Sequence, residues 1–205
     1  MTNLISGKED LVYGHGINDF DGSISVKGKH IYEYKIWKAM LRRCYSEGLK
    51  IKRPTYKNCV VDSELLSFDN FYNFIRGVHG FSCTDSNGRN FHLDKDLLGC
   101  GSLYSRDTIC FVPSEINAFL TNKKAVDSGY PIGVLFHKAS GRLISQITIN
   151  GKKKYLGLFD NSLDAFNAYK REKEDQAKHM AEKYKQVTDD RVYKALIYYK
   201  VDMND

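Results

Sequence analysis

No two of the five cysteines in this 205-residue chain (Cys44, Cys59, Cys83, Cys100 and Cys110) stand closer than ten residues apart, and their number is odd. That spacing excludes a Cys-x-x-Cys zinc knuckle and argues against a paired disulfide framework, so the side chains read as thiols of a reducing compartment. Long apolar runs are lacking too. The stretch from Met1 to Gly14 carries Lys8, Glu9 and Asp10 and contains nothing of signal-sequence or membrane-spanning length, so a cytoplasmic location without membrane contact is expected. One segment lacks charge of one sign altogether: between Pro131 and Leu158 there are five basic side chains and no acidic one.

The residues that are present describe a folded protein. Hydrophobic residues make up 42% and aromatics 13%, which is a globular composition, and the length accommodates two small domains with cores of their own. The formal charge of +6 is spread unevenly, with +2 over residues 1–127 and +4 over the shorter 128–205. A cationic C-terminal part points toward nucleic acid as the partner.

Residues 1–30 are rich in Gly, Ser and Asp and read as an extended arm. Ile36, Trp37, Met40, Leu41 and Cys44 recur at helical spacing, with Lys38, Arg42 and Arg43 on the other side, which predicts an amphipathic helix over 31–45. A short strand is expected around Cys59 to Val61. Phe68, Phe71, Tyr72, Phe74 and Ile75 then form a second helical cluster, whose aromatics read as core rather than as a stacking platform. Asn87-Gly88 marks a turn leading into a strand at Phe91 to Asp94, and Pro113-Ser114-Glu115 opens a short helix through Asn117 and Leu120. The polar stretch Lys123 to Gly129 has no periodicity, which places a domain boundary there and divides the chain into 1–127 and 128–205.

The second part begins with three strand candidates, Gly133 to Phe136, Leu143 to Ile149 and Lys154 to Phe159, separated by the turn formers Ser140-Gly141 and Asn150-Gly151. Asn161 supplies an N-cap for a helix carrying Leu163, Ala165, Phe166, Ala168 and Tyr169 that would cover one face of the sheet. In the middle strand Leu143, Ile147 and Ile149 then face the helix, and Arg142, Gln146 and Thr148 face solvent. Ala177, Met180, Ala181 and Tyr184 continue the helical pattern, and Asp190 to Tyr199 predicts a last helix.

Gly133-Val134, Ser140-Gly141-Arg142, Gln146-Ile147, Asn150-Gly151-Lys152, Tyr155 to Phe159 and Ala165 to Tyr169 together resemble the AP2 DNA-binding domain over about 45 residues. That resemblance implies double-stranded DNA as partner and His137, Arg142, Gln146, Thr148, Lys153 and Tyr155 as the DNA-facing side chains, with Lys152 and Lys154 adding charge for phosphates. Leu135 stands where the plant domains usually place an arginine, and Gln146 and Thr148 replace their glutamate and arginine, so no base preference carries over.

Upstream, Trp37 to Tyr45, Pro54-Thr55-Tyr56, Cys59-Val60-Val61, Phe68 to Phe71, Leu93 to Leu98, Tyr104-Ser105 and Phe111 to Asn117 resemble phage HNH-type proteins, many of which also carry a C-terminal AP2 domain. The resemblance implies a ribbon and helix holding one Mg²⁺ or Mn²⁺ through Asp94 and Asn117. It also shows two departures, Lys95 at the position of the catalytic histidine and Thr108 at that of the central asparagine. A solvated lysine titrates about four units above histidine and stays protonated at neutral pH, which leaves His92, two residues before Asp94 on the same strand, as the substitute base. Cys44, Cys59 and Cys110 sit where related sequences also tend to carry cysteine, but without a fourth ligand they read as buried thiols and no zinc is expected.

The expectation is therefore an α+β chain, with a degenerate HNH module followed by an AP2-type three-stranded sheet, helix and helical tail. Two functions follow from it: a metal-dependent homing or nicking endonuclease, or a catalytically inert DNA-binding or regulatory protein on the same scaffold. RNA binding is a weaker third reading, because the aromatics cluster at core positions.

Overall fold

The computed structural model describes residues 11–99, 101–121, 129–149 and 151–203. The tip of the N-terminal arm, Cys100, most of the expected boundary at 123–129 and Asn150 of the second hairpin turn lie outside the described residues. The fold is α+β, and it divides into two compact units that interleave along the chain, Met1–Cys83 with Leu93–Phe111 and Thr84–His92 with Val112–Asp205. No described helix is long and apolar enough to cross a membrane.

In the first unit a minimal hairpin, β1 (Ser25–Val26) and β2 (Lys29–His30), precedes helices α1 (Tyr32–Tyr45) and α2 (Glu47–Lys52). The expected stripe of α1 is its buried face, since Trp37, Met40, Leu41 and Cys44 are completely buried. Strand β3 (Val60–Val61) and helix α3 (Phe68–Ile75) follow, with Ser67 capping α3 by accepting the Asn70 N–H. Phe68 packs edge-on against Tyr34 and tilted against Trp37, whose indole N–H donates to the Leu65 carbonyl at 2.9 Å, so the aromatics of both helices form the core. The described part of the arm is docked onto α3 and the residues before it. Ile17 donates to the Leu66 carbonyl and accepts from the Phe68 N–H, and Asp19 accepts the Asp69 N–H at the start of α3.

Next come β4 (His92–Asp94), β5 (Leu103–Tyr104), β6 (Cys110–Val112) and helix α4 (Ser114–Leu120). Strand β5 pairs in parallel with β3, and β4 pairs with β6.

The second unit holds the meander β7 (Val134–His137), β8 (Arg142–Ile149) and β9 (Lys152–Phe159), all antiparallel, then α5 (Ser162–Tyr184) and α6 (Asp190–Ile197). Asn161 caps α5 as expected, accepting the Asp164 N–H at 2.9 Å. Helix α5 lays Ala165, Phe166 and Tyr169 on Val134, Leu143 and Ile147, closing a core that Ile132 and Val201 complete and against which Ile149 packs. Leu163 is the exception to the expected face, being 57% exposed. Gly133 has φ +79°, and a Cβ there would fall 2.1 Å from the Tyr169 ring, so only glycine fits where the chain enters β7. Near the end of the chain Val201 is tied to α5, donating its N–H to Glu174 and accepting from the Lys170 ammonium. Tyr184 and Lys183 of α5 hold Glu115 of α4. Lys173 is buried, with its ammonium 2.6 Å from the Phe119 carbonyl and 3.8 Å above that ring.

Candidate nucleic-acid interface

The register of the meander sorts every side chain to one face, because residues directly opposite each other in antiparallel strands project to the same side. Leu143, Ser145 and Ile147 of β8 are buried beneath α5, so their neighbours Arg142, Ile144, Gln146 and Thr148 line the open face. Opposite them stand His137, Leu135, Tyr155 and Lys153, paired as His137 with Arg142, Leu135 with Ile144, Gln146 with Tyr155 and Thr148 with Lys153. All six side chains expected from the AP2 resemblance therefore meet on one surface. Tyr155 is the most open of its large apolar groups, at 62% exposure.

Two expected contributors are on the other side. A bulge after Ser145 slips the β8–β9 pairing by one residue, so that Lys152 and Lys154 stand opposite Ile149 and Ile147 on the helix-facing side. Lys154 is engaged there, 2.8 Å from Glu172 of α5. Gly157 takes up the irregularity with φ +139°, a conformation side-chain-bearing residues avoid. Of the lysine run, only Lys153 joins the open face.

Arg142 holds the Asp160 carboxylate with both Nε and Nη2, at 2.6 and 3.1 Å, and donates to the Leu158 carbonyl. The sequence reading missed Asp160, which lies two residues past the acid-free stretch and returns beside Arg142 only through the hairpin. This fork fixes the guanidinium while leaving it 41% exposed, able to reach a phosphate or a guanine edge with its remaining donors. The His137 imidazole is tied by Nδ1 to the Ser140 hydroxyl at 2.8 Å.

The residues singled out upstream have the following surroundings. Lys95 is 3% exposed, and its ammonium binds the Asp96 carboxylate and, at 2.6 Å, the Gly101 carbonyl. Burial opposes that charge, but the Asp96 hydrogen bond and the surrounding acidic groups outweigh it and hold the pKa above the ordinary lysine value. Asp94 is also buried, which raises its pKa, and its Oδ1 accepts the N–H groups of Asp96 and Leu97, closing the turn after β4. Thr108 braces the β5–β6 turn, accepting the Ser105 N–H and donating to the Leu103 carbonyl at 2.7 Å.

His92 is exposed, and its Nε2 lies 3.2 Å from the Ser114 hydroxyl, which in turn donates to Asp85 at 3.2 Å. The amide of Arg89 keeps Asp85 below the usual carboxylate range, so Asp85 only accepts. With the hydroxyl proton committed to Asp85, Nε2 is the donor of the His92–Ser114 hydrogen bond. Asn117 is half-buried in α4 and belongs to the second unit, whereas Asp94 belongs to the first.

Among the described residues no three His, Cys, Asp or Glu side chains gather as a metal cage, and Asp94 has one oxygen committed to its own loop. Cys44, Cys59 and Cys110 are buried, and burial pushes the Cys44 thiol up to about 12.

No family model, curated protein or solved structure matches this chain.

Proposed function

We propose that this protein binds double-stranded DNA, gripping it with the open face of β7, β8 and β9. The supporting observation is the convergence of Arg142, Lys153, His137, Gln146, Thr148 and Tyr155 from three strands onto a face that α5 leaves uncovered. A three-stranded sheet with basic and amide side chains on its free side suits the major groove, where phosphates attract the cations and base edges meet the amides. The test is fluorescence anisotropy of labelled duplex against salt. Affinity should fall linearly on a log–log plot, and Arg142→Ala with Lys153→Ala should flatten the slope by up to about two units. A slope unchanged in that variant would move the grip to another surface.

Metal-dependent cleavage is the second reading, favoured by the exposed His92 imidazole held by Ser114. It needs Asp94 to release the backbone amides it now holds and Lys95 to leave Asp96 and the Gly101 carbonyl. Incubating plasmid with the protein in Mg²⁺, Mn²⁺ or EDTA separates the two readings. Nicks that require metal and vanish in Asp94→Ala support an endonuclease; binding without nicks supports an inert DNA-binding protein.

A further inference from the structure

Three apolar side chains cross the open face in one transverse row. Leu135 of β7 stands opposite Ile144 of β8, and Ile144 stands opposite Leu158 of β9. Leu135 is 39% exposed, while Ile144 and Leu158 are half-buried. Polar and basic pairs bracket the row, with His137 and Arg142 on one side and Gln146 and Tyr155 on the other. Scattered exposed leucines are ordinary on protein surfaces, but a contiguous apolar strip ringed by polar groups is the pattern of a recognition surface.

We propose that this row reads thymine C5-methyl groups in the major groove, so that the protein favours A·T pairs at the centre of its site. The inference rests on the duplex-binding reading above and specifies what that face prefers. Duplex DNA is the occupant argued for because Arg142 and Lys153 stand on this same face, where they can draw in phosphates. Adjacent strands lie about 4.8 Å apart, so the row spans roughly 10 Å, enough to pass over about three stacked base pairs. A leucine or isoleucine there offers no donor or acceptor. The polar edges of every base pair would lose water to it without gaining a partner, and only the thymine methyl returns apolar contact, which favours A·T pairs.

The experiment compares the full chain on two duplexes of one alternating sequence, one built with thymine and one with uracil, which lacks only the methyl. It adds a pair of alternating G·C duplexes with cytosine or 5-methylcytosine. The uracil duplex should bind about fourfold more weakly per contacted methyl, equivalent to ~0.8 kcal/mol each, and 5-methylcytosine should bind more tightly than cytosine. Leu135→Gln, at an exposed position, should shrink the thymine-to-uracil ratio toward one. If that variant does not fold, the wild-type comparison decides alone. Equal affinity for thymine and uracil duplexes, or a preference for uracil, overturns the methyl reading while leaving DNA binding intact. Failure to bind any duplex at low salt overturns the DNA reading itself.

Discussion

The ammonium of Lys154 lies 2.8 Å from the carboxylate of Glu172, on the side of the sheet that α5 covers, while its neighbour Lys153 stands on the opposite face across from Thr148. Two adjacent lysines thus have unlike roles. Lys153→Ala should reduce the salt dependence of duplex binding by about one unit of log–log slope, the share of one phosphate contact. Lys154→Ala should leave the slope unchanged. Equal effects from the two variants would show that the register of β9 shifts when DNA binds.

Gly133→Ala should destabilise the second unit by about 2–4 kcal/mol, because it combines a positive φ with a side chain driven into the Tyr169 ring. Thermal unfolding followed by circular dichroism measures this. A loss below about 0.5 kcal/mol would mean that Tyr169 swings away at little cost, and that its packing on β7 matters less than its burial suggests.

Ser145 is completely buried, and its hydroxyl finds no hydrogen-bond partner among the described residues. An unpaired buried hydroxyl opposes folding, so Ser145→Ala should keep stability unchanged or raise it by up to ~1 kcal/mol in chemical denaturation. A clear loss would indicate an ordered water bound to that hydroxyl.

Burial lowers the pKa of Lys173 to about 8, whereas an unfolded lysine titrates near ~10.4. Between those values the unfolded chain keeps a proton that the folded chain has lost, so stability rises with pH across that window and the penalty is fully present below it. Lys173→Met should flatten this part of the profile when urea midpoints of both proteins are compared from about pH 7 to 10. Parallel profiles would show that the Phe119 carbonyl and ring fully replace the lost water.

The residue pattern made α1 and the middle strand β8 legible. Trp37, Met40, Leu41 and Cys44 recur at the helical period, and Leu143 and Ile147 alternate with Gln146 and Thr148 at the strand period, so a single periodicity assigns each face. The start of α5 was equally readable from Asn161, since capping is a local hydrogen bond. Leu163 misled because the first turn of α5 reaches past the sheet it covers, and apolar character alone does not report where a neighbouring element ends.

The candidate site was legible to the extent that parity holds. Arg142, Gln146 and Thr148 could be placed from their own strand, but Lys152 and Lys154 could not, because one slipped residue in β9 reverses every face after it and that slip depends on pairing with β8. Asp160 escaped for a related reason, coming to Arg142 through a hairpin rather than through sequence proximity.

By itself, the sequence determined the helical and strand periods, the N-caps, the turns at Ser140-Gly141 and Asn87-Gly88, and the stretch of cations without anions, all properties of residues a few positions apart. Only the tertiary structure decided which lysine faces outward, that Lys95 is a buried partner of Asp96 and Gly101, that Asp94 closes its own turn, and that Leu135, Ile144 and Leu158 form one row. Those outcomes depend on strand register and on burial by distant segments, and both are set when long-range contacts form.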